Sequence, residues 1–446
     1  MADIMMYNVI ILGFAFMFVF TAFQTTSGIE ETVIESVQHD SSNSTRQEFE
    51  GSGYYSLAII YGVFAFSNWL APSVVSLIGP RATMFISGAV YTGFIAIFLS
   101  LKIWSLYMMS VFLGIAAALI WTAQGNFLTI NSTSETMGRN SGIFWAMLQC
   151  SLLFGNIFIY FEIGKTSATY ITETTRTTIF LVLTSVSGIG VLIFLLLRKV
   201  PPRDESSIQS TEQSPDTDVR LGPVQSLVRS FQLLKMKAML LLMVCFFYTG
   251  LELTYFSGVY GTCVGNTHLF GIKSKSYVAL CGILIGCGEI LGGAIFGLMG
   301  RRTNKYGRDP IVLLGFIVHI IAFYLSLVNL PSGSPISDTF NQEGYIQPNL
   351  ALALVTAFLL GFGDACFNTQ VYSILGYLFP NDSAPAFALF KFTQSLSAAI
   401  AFFYAKHLLL HWQLLILVVF AVLGTMSFAV VEWTASRRVR EGYEKI

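Results

Sequence analysis

Charge is scarce in this chain. Only 11% of its 446 residues are Asp, Glu, Lys or Arg, against about 25% in an average soluble domain. The charges that exist cancel, with 25 basic and 25 acidic residues, so no excess of positive charge is available for nucleic acid. GxSxG, HExxH and P-loop patterns are missing, and no metal-ligand cluster is visible. The common hydrolase, zinc and nucleotide-binding signatures are therefore absent, and neither a cofactor nor an enzymatic activity is implied. Six cysteines, Cys150, Cys245, Cys263, Cys281, Cys287 and Cys366, include no CxxC pair. They lie in or at the ends of apolar runs and read as buried thiols, not a disulfide framework.

Apolar sequence is what the chain has in abundance. Hydrophobic residues make up 54% of it, with 39 Phe and 38 Gly, and the mean hydropathy is +0.66. Twelve long apolar stretches stand out, at about 7–35, 54–78, 82–100, 104–130, 141–162, 177–198, 236–262, 276–299, 311–329, 349–376, 385–406 and 412–434. A membrane-crossing helix needs roughly 20 mostly apolar residues. Inside a bilayer only a helix or a closed barrel satisfies its own backbone. The expected fold is thus an all-α membrane protein with twelve transmembrane helices and contact with lipid. The first run lacks the basic flank and cleavage site of a signal peptide and reads as a retained span.

One polar segment of Ser, Thr, Asp, Gln and Pro divides the stretches six and six. The expected organisation is a first bundle over 1–198, a linker over 199–235, a second bundle over 236–434 and a tail over 435–446. Leu221 to Lys237 places Val224, Leu227, Val228, Phe231 and Leu234 at helical spacing against Arg229, Lys235 and Lys237, the pattern of an interfacial helix. Sorting the 25 basic residues by the loops they occupy puts 17 on the side of the termini and linker, 7 on the other side, and Lys391 within a span. The positive-inside rule then predicts cytoplasmic termini. Asn43 in Asn43-Ser44-Thr45 becomes a glycosylation site, whereas the triplets at Asn131 and Asn381 fall on the cytoplasmic side.

The two halves echo each other. Gly28-Ile29-Glu30-Glu31-Thr32 matches Gly250-Leu251-Glu252-Leu253-Thr254. Ser76-Leu77-Ile78-Gly79-Pro80-Arg81 lines up with Gly297-Leu298-Met299-Gly300-Arg301-Arg302 at nearly the same shift, and Thr122-Ala123-Gln124 with Asn368-Thr369-Gln370. Phe144 and Gln149 match Leu389 and Gln394. A duplicated six-helix unit with a cytoplasmic linker resembles the major facilitator superfamily, whose two bundles are repeats around a midplane site. The loop Gly297 to Arg308 resembles that superfamily's signature between spans eight and nine, but lacks the acidic residue before the arginines. The matching first-half loop is reduced to Gly79-Pro80-Arg81.

Four segments resemble the narrower uncoordinated-93 (Unc-93-like) family. They are Asn8 to Gly13 leading to Thr21-Ala22-Phe23-Gln24-Thr25, Gly53-Tyr54 leading to Tyr61-Gly62-Val63-Phe64, Trp121-Thr122-Ala123-Gln124-Gly125-Asn126, and Gly138-Arg139-Asn140-Ser141-Gly142-Ile143-Phe144-Trp145. The resemblance implies a twelve-span facilitator fold. Some members regulate or partner other membrane proteins, and the family supplies no catalytic residues.

Polar groups inside spans cost at least ~2.5–3.5 kcal/mol when charged, so each needs a role. Glu289, Asp364 and Lys391 are candidates for a proton or cation coupling cluster, or for a mutually neutralising set. Gln24, Gln124, Asn126, Gln149 and Gln394 suit either a cavity for a small polar solute or helix contacts, and Asn68 corresponds to Glu289 in the repeat register. Glu30 and Glu252 occupy matched positions and read as helix contacts or as a gate. His319, alone in its span, reads as a hydrogen-bonded packing histidine in preference to a proton relay, and Trp121 and Trp145 as interfacial anchors. The tail Tyr443 to Ile446 has the form of a tyrosine-based sorting signal, consistent with a plasma, endosomal or lysosomal membrane. Two functions follow: a secondary transporter working by alternating access, or a non-transporting regulator or escort of another membrane protein.

Overall fold

The computed structural model describes residues 2–42, 50–132, 136–165, 170–199, 223–298, 307–379 and 382–440. Asn43, Tyr443, Ile446, most of the linker and most of the loop between Gly297 and Arg308 lie outside them. Apolar sequence becomes helix almost throughout. The elements are α1 (Ala2–Ser42), α2 (Gly53–Ser67), α3 (Ala71–Ile78), α4 (Pro80–Ala96), α5 (Ile103–Ile130), α6 (Met137–Gly164), α7 (Glu173–Phe194), α8 (Pro223–Leu233), α9 (Lys237–Thr254), α10 (Tyr260–Asn266), α11 (Ser274–Leu298), α12 (Asp309–Asn329), α13 (Leu350–Leu378), α14 (Ser383–Ala405) and α15 (Leu410–Arg440). Among the described residues eleven stretches are long and apolar enough to cross a membrane, and α2 with α3, taken as one span, makes a twelfth.

That twelfth span corrects the expectation of one helix over 54–78. It bends by 73° between α2 and α3. Asn68 closes α2, its N–H turning back to Phe64 O at 3.1 Å, and Pro72 opens α3 in its first turn. Proline lacks an N–H and crowds the preceding turn, so it belongs at a helix start and not inside one. Gly79, at φ 87°, then joins α3 to α4 with no loop; only glycine takes that left-handed conformation freely. The seventh span keeps its length but carries a π-turn, Tyr255–Val259, between α9 and α10.

Within the first half, α1 packs on α6 and α7, and α5 on α2 and α4; within the second, α13 packs on α11 and α12, and α9 on α14 and α15. Small residues allow the closest approach: a Cβ on Gly361 of α13 would stand 2.0 Å from the Ile285 carbonyl of α11. Two seams join the halves, α2 against α14 and α6 against α11. At the end carrying both chain termini, Asn8 ties α1 to the exit of α7 by accepting from the Arg198 N–H at 2.9 Å. The amphipathic helix α8 sits at this end too. Phe231 stacks on Trp69 at 5.8 Å, and Arg229 donates twice to Asp382, at 2.6 and 2.7 Å.

Candidate functional site

The densest buried chemistry lies inside the second half. Glu252 on α9 is 2% exposed, and Tyr248, one turn earlier, shares its face. Both reach one nitrogen: the Tyr248 hydroxyl lies 2.6 Å from His319 Nδ1, and Glu252 Oε2 lies 2.9 Å from it. His319, from α12, is fully buried. Its Nε2 faces the Leu360 carbonyl at 3.1 Å. A carbonyl only accepts, so Nε2 carries a hydrogen. A neutral ring then accepts at Nδ1 from Tyr248, and a protonated ring donates there to Glu252. Phe367 stacks on the ring at 5.7 Å, and Gly363 leaves it room, since a Cβ there would stand 2.3 Å from the imidazole.

Two further carboxyls approach. Asp364 on α13 interacts electrostatically with Glu252, whose oxygens make no hydrogen bond among the described residues, and accepts from Asn368 Nδ2 at 2.7 Å. Glu289 on α11 interacts electrostatically with Glu252 and accepts from Gln149 Nε2, on α6 of the first half, at 2.9 Å. Glu289 and Asp364 were read from sequence as one cluster, and the structure does bring them together. It adds Glu252 and Tyr248, which meet at one nitrogen of the hydrogen-bonded, fully buried His319. Lys391 acts on Asp364 electrostatically, at longer range than a direct pair. Among the described residues no ion pair joins them within 4.0 Å; Lys391 donates to Gln394 Oε1 at 3.0 Å and rests 4.7 Å from the Phe390 ring.

The other candidates scatter. Gln394 also donates to Thr249 Oγ1 at 3.2 Å. Gln24 accepts from Ser151, which joins α1 to α6. Gln124 is buried on α5, while Asn126 is exposed. Asn68 sits at the bend of the second span, and its Nδ2 finds no partner. Trp121 and Trp145 stack on each other at 5.8 Å, with Trp121 also against Phe16 and Phe20, so Trp121 belongs to the packed interior. Along the α2–α14 seam runs an apolar groove of about 710 Å³ lined by Tyr55, Ile59, Ile400 and Phe403 among others.

A second polar group, unread from sequence, clasps the halves at the end away from the termini. Lys406, just past α14, donates to Glu31 of α1 at 2.8 Å. Lys275, 2% exposed at the start of α11, reaches Glu35 of α1 at 3.3 Å and Asp338 at 2.9 Å. His268 Nε2 donates to the same Asp338 oxygen at 2.7 Å. Burial pushes the Asp338 carboxyl up, but the His268 bond and the Lys275 charge outweigh it and leave it below its ordinary range. For Lys406 burial pushes the ammonium down, and Glu31 outweighs that, so it ends above its ordinary value. Glu31 and Glu35 are one helical turn apart, which was the available signal. Their lysine partners lie hundreds of residues away, and no local pattern announces them.

The sequence matches the family described as "Ion channel regulatory protein UNC-93" over residues 47–429. It is 50% identical to the UNC93-like protein MFSD11 of Xenopus laevis, covering 97% of each chain. It is 25% identical to protein unc-93 homolog A of Homo sapiens, over 96% of this chain and 94% of that one. Among solved structures, the nucleoside transporter NupG superposes with a TM-score of 0.63 at 13% identity, over 96% of this chain and 98% of that one. The peptide transporter POT with sulfate gives 0.65 at 12%, over 97% and 95%. These likenesses establish the transporter-type fold of the major facilitator superfamily for a chain of twelve spans. The protein is a multi-pass membrane protein and belongs to the UNC-93 family.

Proposed function

We propose that the protein is a secondary transporter that moves a small solute by alternating access, with Asp364 and Glu289 as its proton or cation coupling groups. The set of buried Glu252 and His319 with half-buried Asp364 carries this reading, with Glu289 accepting from Gln149 across the seam. Three carboxyls and an imidazole in a low-dielectric interior gain most by holding or passing a proton. One proton held between Asp364 and Glu252 would let one carboxyl donate to the other, and His319 is placed to take it further. Glu289 feels the arrangement of the two halves directly, because its donor belongs to the other half. Rocking of residues 1–198 against 236–434 would open and close the clasp at Glu31–Lys406. On the basic-residue asymmetry, the termini and linker face the cytosol, Asn43 carries a glycan, and Tyr443 to Ile446 is read by sorting adaptors.

The test is uptake from a complex metabolite mixture into proteoliposomes under an imposed pH gradient, read by untargeted mass spectrometry. At least one solute should accumulate over protein-free vesicles, and Asp364→Asn should abolish that accumulation. A second reading, a non-transporting regulator of another membrane protein, is favoured by the family's description as channel-regulatory. It prevails if no solute enters above the protein-free control.

A further inference from the structure

The first half holds a different buried acid. Glu30 on α1 is fully buried, and neither of its carboxylate oxygens finds a hydrogen-bond partner. Its neighbours along the helix are satisfied: Glu31 by Lys406 and Glu35 by Lys275. Thr26 and Ser27 precede it by four and three residues and so share its face. Buried hydroxyls in helices commonly return to the carbonyl one turn back, as Thr21 does to Met17 at 2.6 Å and Ser36 to Thr32 at 3.0 Å on this same helix. The Thr26 and Ser27 hydroxyls do not, and they also stand without partners.

Across from them, Ser56 of α2 is within reach of Glu30 but bonded to Ser110 at 2.9 Å. The Ser110 hydroxyl also reaches the Leu106 carbonyl at 2.7 Å. Ser56 and Ser110 share their bond with either hydroxyl able to donate, which leaves the Ser56 hydroxyl able to face Glu30. Helix α2 holds the carboxylate in place, since a Cβ on Gly53 would stand 2.9 Å from Glu30 Cγ. The result is a buried carboxylate with no ion pair among the described residues, beside Ser56 and on a helix face that also carries the unpartnered Thr26 and Ser27 hydroxyls.

We infer that Glu30, with Thr26, Ser27 and Ser56, forms a binding site for a monovalent hard cation, sodium, within the first half. Hard cations take oxygen ligands of this kind. A buried carboxylate demands a counter-charge, and a single one is neutralised by a single positive charge. No group of three His, Cys, Asp or Glu side chains that could hold a multivalent ion occurs among the described residues. The site goes beyond the coupling reading above and uses none of its residues.

The experiment follows the apparent thermal midpoint of the full chain in detergent as sodium chloride replaces choline chloride at constant ionic strength and fixed pH. The wild type should rise saturably with sodium, Glu30→Gln should not respond, and Ser56→Ala should need about tenfold more sodium, the equivalent of about 1.4 kcal/mol. Asp364→Asn should keep the wild-type response, which separates this site from the coupling cluster. A wild-type midpoint indifferent to sodium overturns the proposal, as does a sodium response retained in Glu30→Gln. If Glu30→Gln does not fold, an unshifted half-saturation in Ser56→Ala overturns it. A midpoint that follows pH and ignores sodium assigns Glu30 a proton instead and also overturns it.

Discussion

Glu30 and Glu252 stand at matched positions of a duplicated segment, one in each half, and their surroundings have diverged. Glu252 faces an imidazole, a phenol and a second carboxyl, groups that exchange protons. Glu30 faces the Ser56 hydroxyl and shares its helix face with two unpartnered hydroxyls, groups that coordinate. The segments carrying the two acids echo each other in sequence, but the helices packed against them differ. α12 delivers His319 in the second half, and α2 delivers Ser56 in the first. Duplication thus preserves where a charge is buried, and the partner helices decide its chemistry. In the first half an added layer appears, because Glu31 and Glu35 on α1 reach across to the second half and lock one end.

Four variants bear on this contrast. The largest effect is expected at His319→Ala. It leaves Glu252 buried beside Asp364 without a base and opens space against Phe323 and Phe367, at a cost of about 3–5 kcal/mol. The apparent thermal midpoint in detergent should fall steeply, and an unchanged midpoint would remove His319 from the cluster.

Lys406→Met comes next. The pair it breaks is half-buried on the lysine side, at 26% against 3% exposure, so about 1–2 kcal/mol is expected, between exposed and buried pairs. Its pH dependence has a definite sign. A lysine raised above its unfolded value, about 10.4, contributes stability fully below that value and loses it as pH rises through the folded one. The gap between wild type and Lys406→Met should therefore stay constant through neutral pH and close only in strong alkali. A gap that already closes near neutrality would contradict the clasp as described. Asp338 behaves in the opposite sense. Its depressed carboxyl adds stability above about pH 3.9 and loses it as pH falls through the folded value.

The smallest effect is expected at Glu30→Gln in sodium-free buffer. Removing an uncompensated buried charge breaks no bond seen in the structure, so the midpoint should move by no more than about 0.5 kcal/mol, or rise. Glu252→Gln in the same buffer should lower it. Equal behaviour of the two variants would erase the distinction between the matched positions.

Much of the architecture could be read before the helices were placed. Every expected span is present, because hydropathy over about 20 residues is a local property and lipid leaves the backbone no alternative to helix. The bend at residues 68–70 was visible in Pro72 but masked by the unbroken apolar composition around it. Glu289 and Asp364 were recognisable by their cost inside a span. Lys391 acts on Asp364 electrostatically but forms no ion pair with it within 4.0 Å among the described residues, since which face of α13 meets α14 depends on side-chain packing that composition does not encode. His319 looked solitary because Tyr248 lies 71 residues before it. The clasp lysines, Lys275 and Lys406, sat at span ends where charge is unremarkable, and they were counted only toward orientation.

Composition alone dictates that this chain crosses a membrane many times as helices and that its few internal charges must be accommodated there. Both follow from solvation, which acts residue by residue. Which acid meets a histidine, which meets a lysine and which is left among hydroxyls was settled by packing. Ionic and hydrogen-bonding partners act over about 3 Å, and only the mutual rotation of helices far apart in sequence brings groups to that distance.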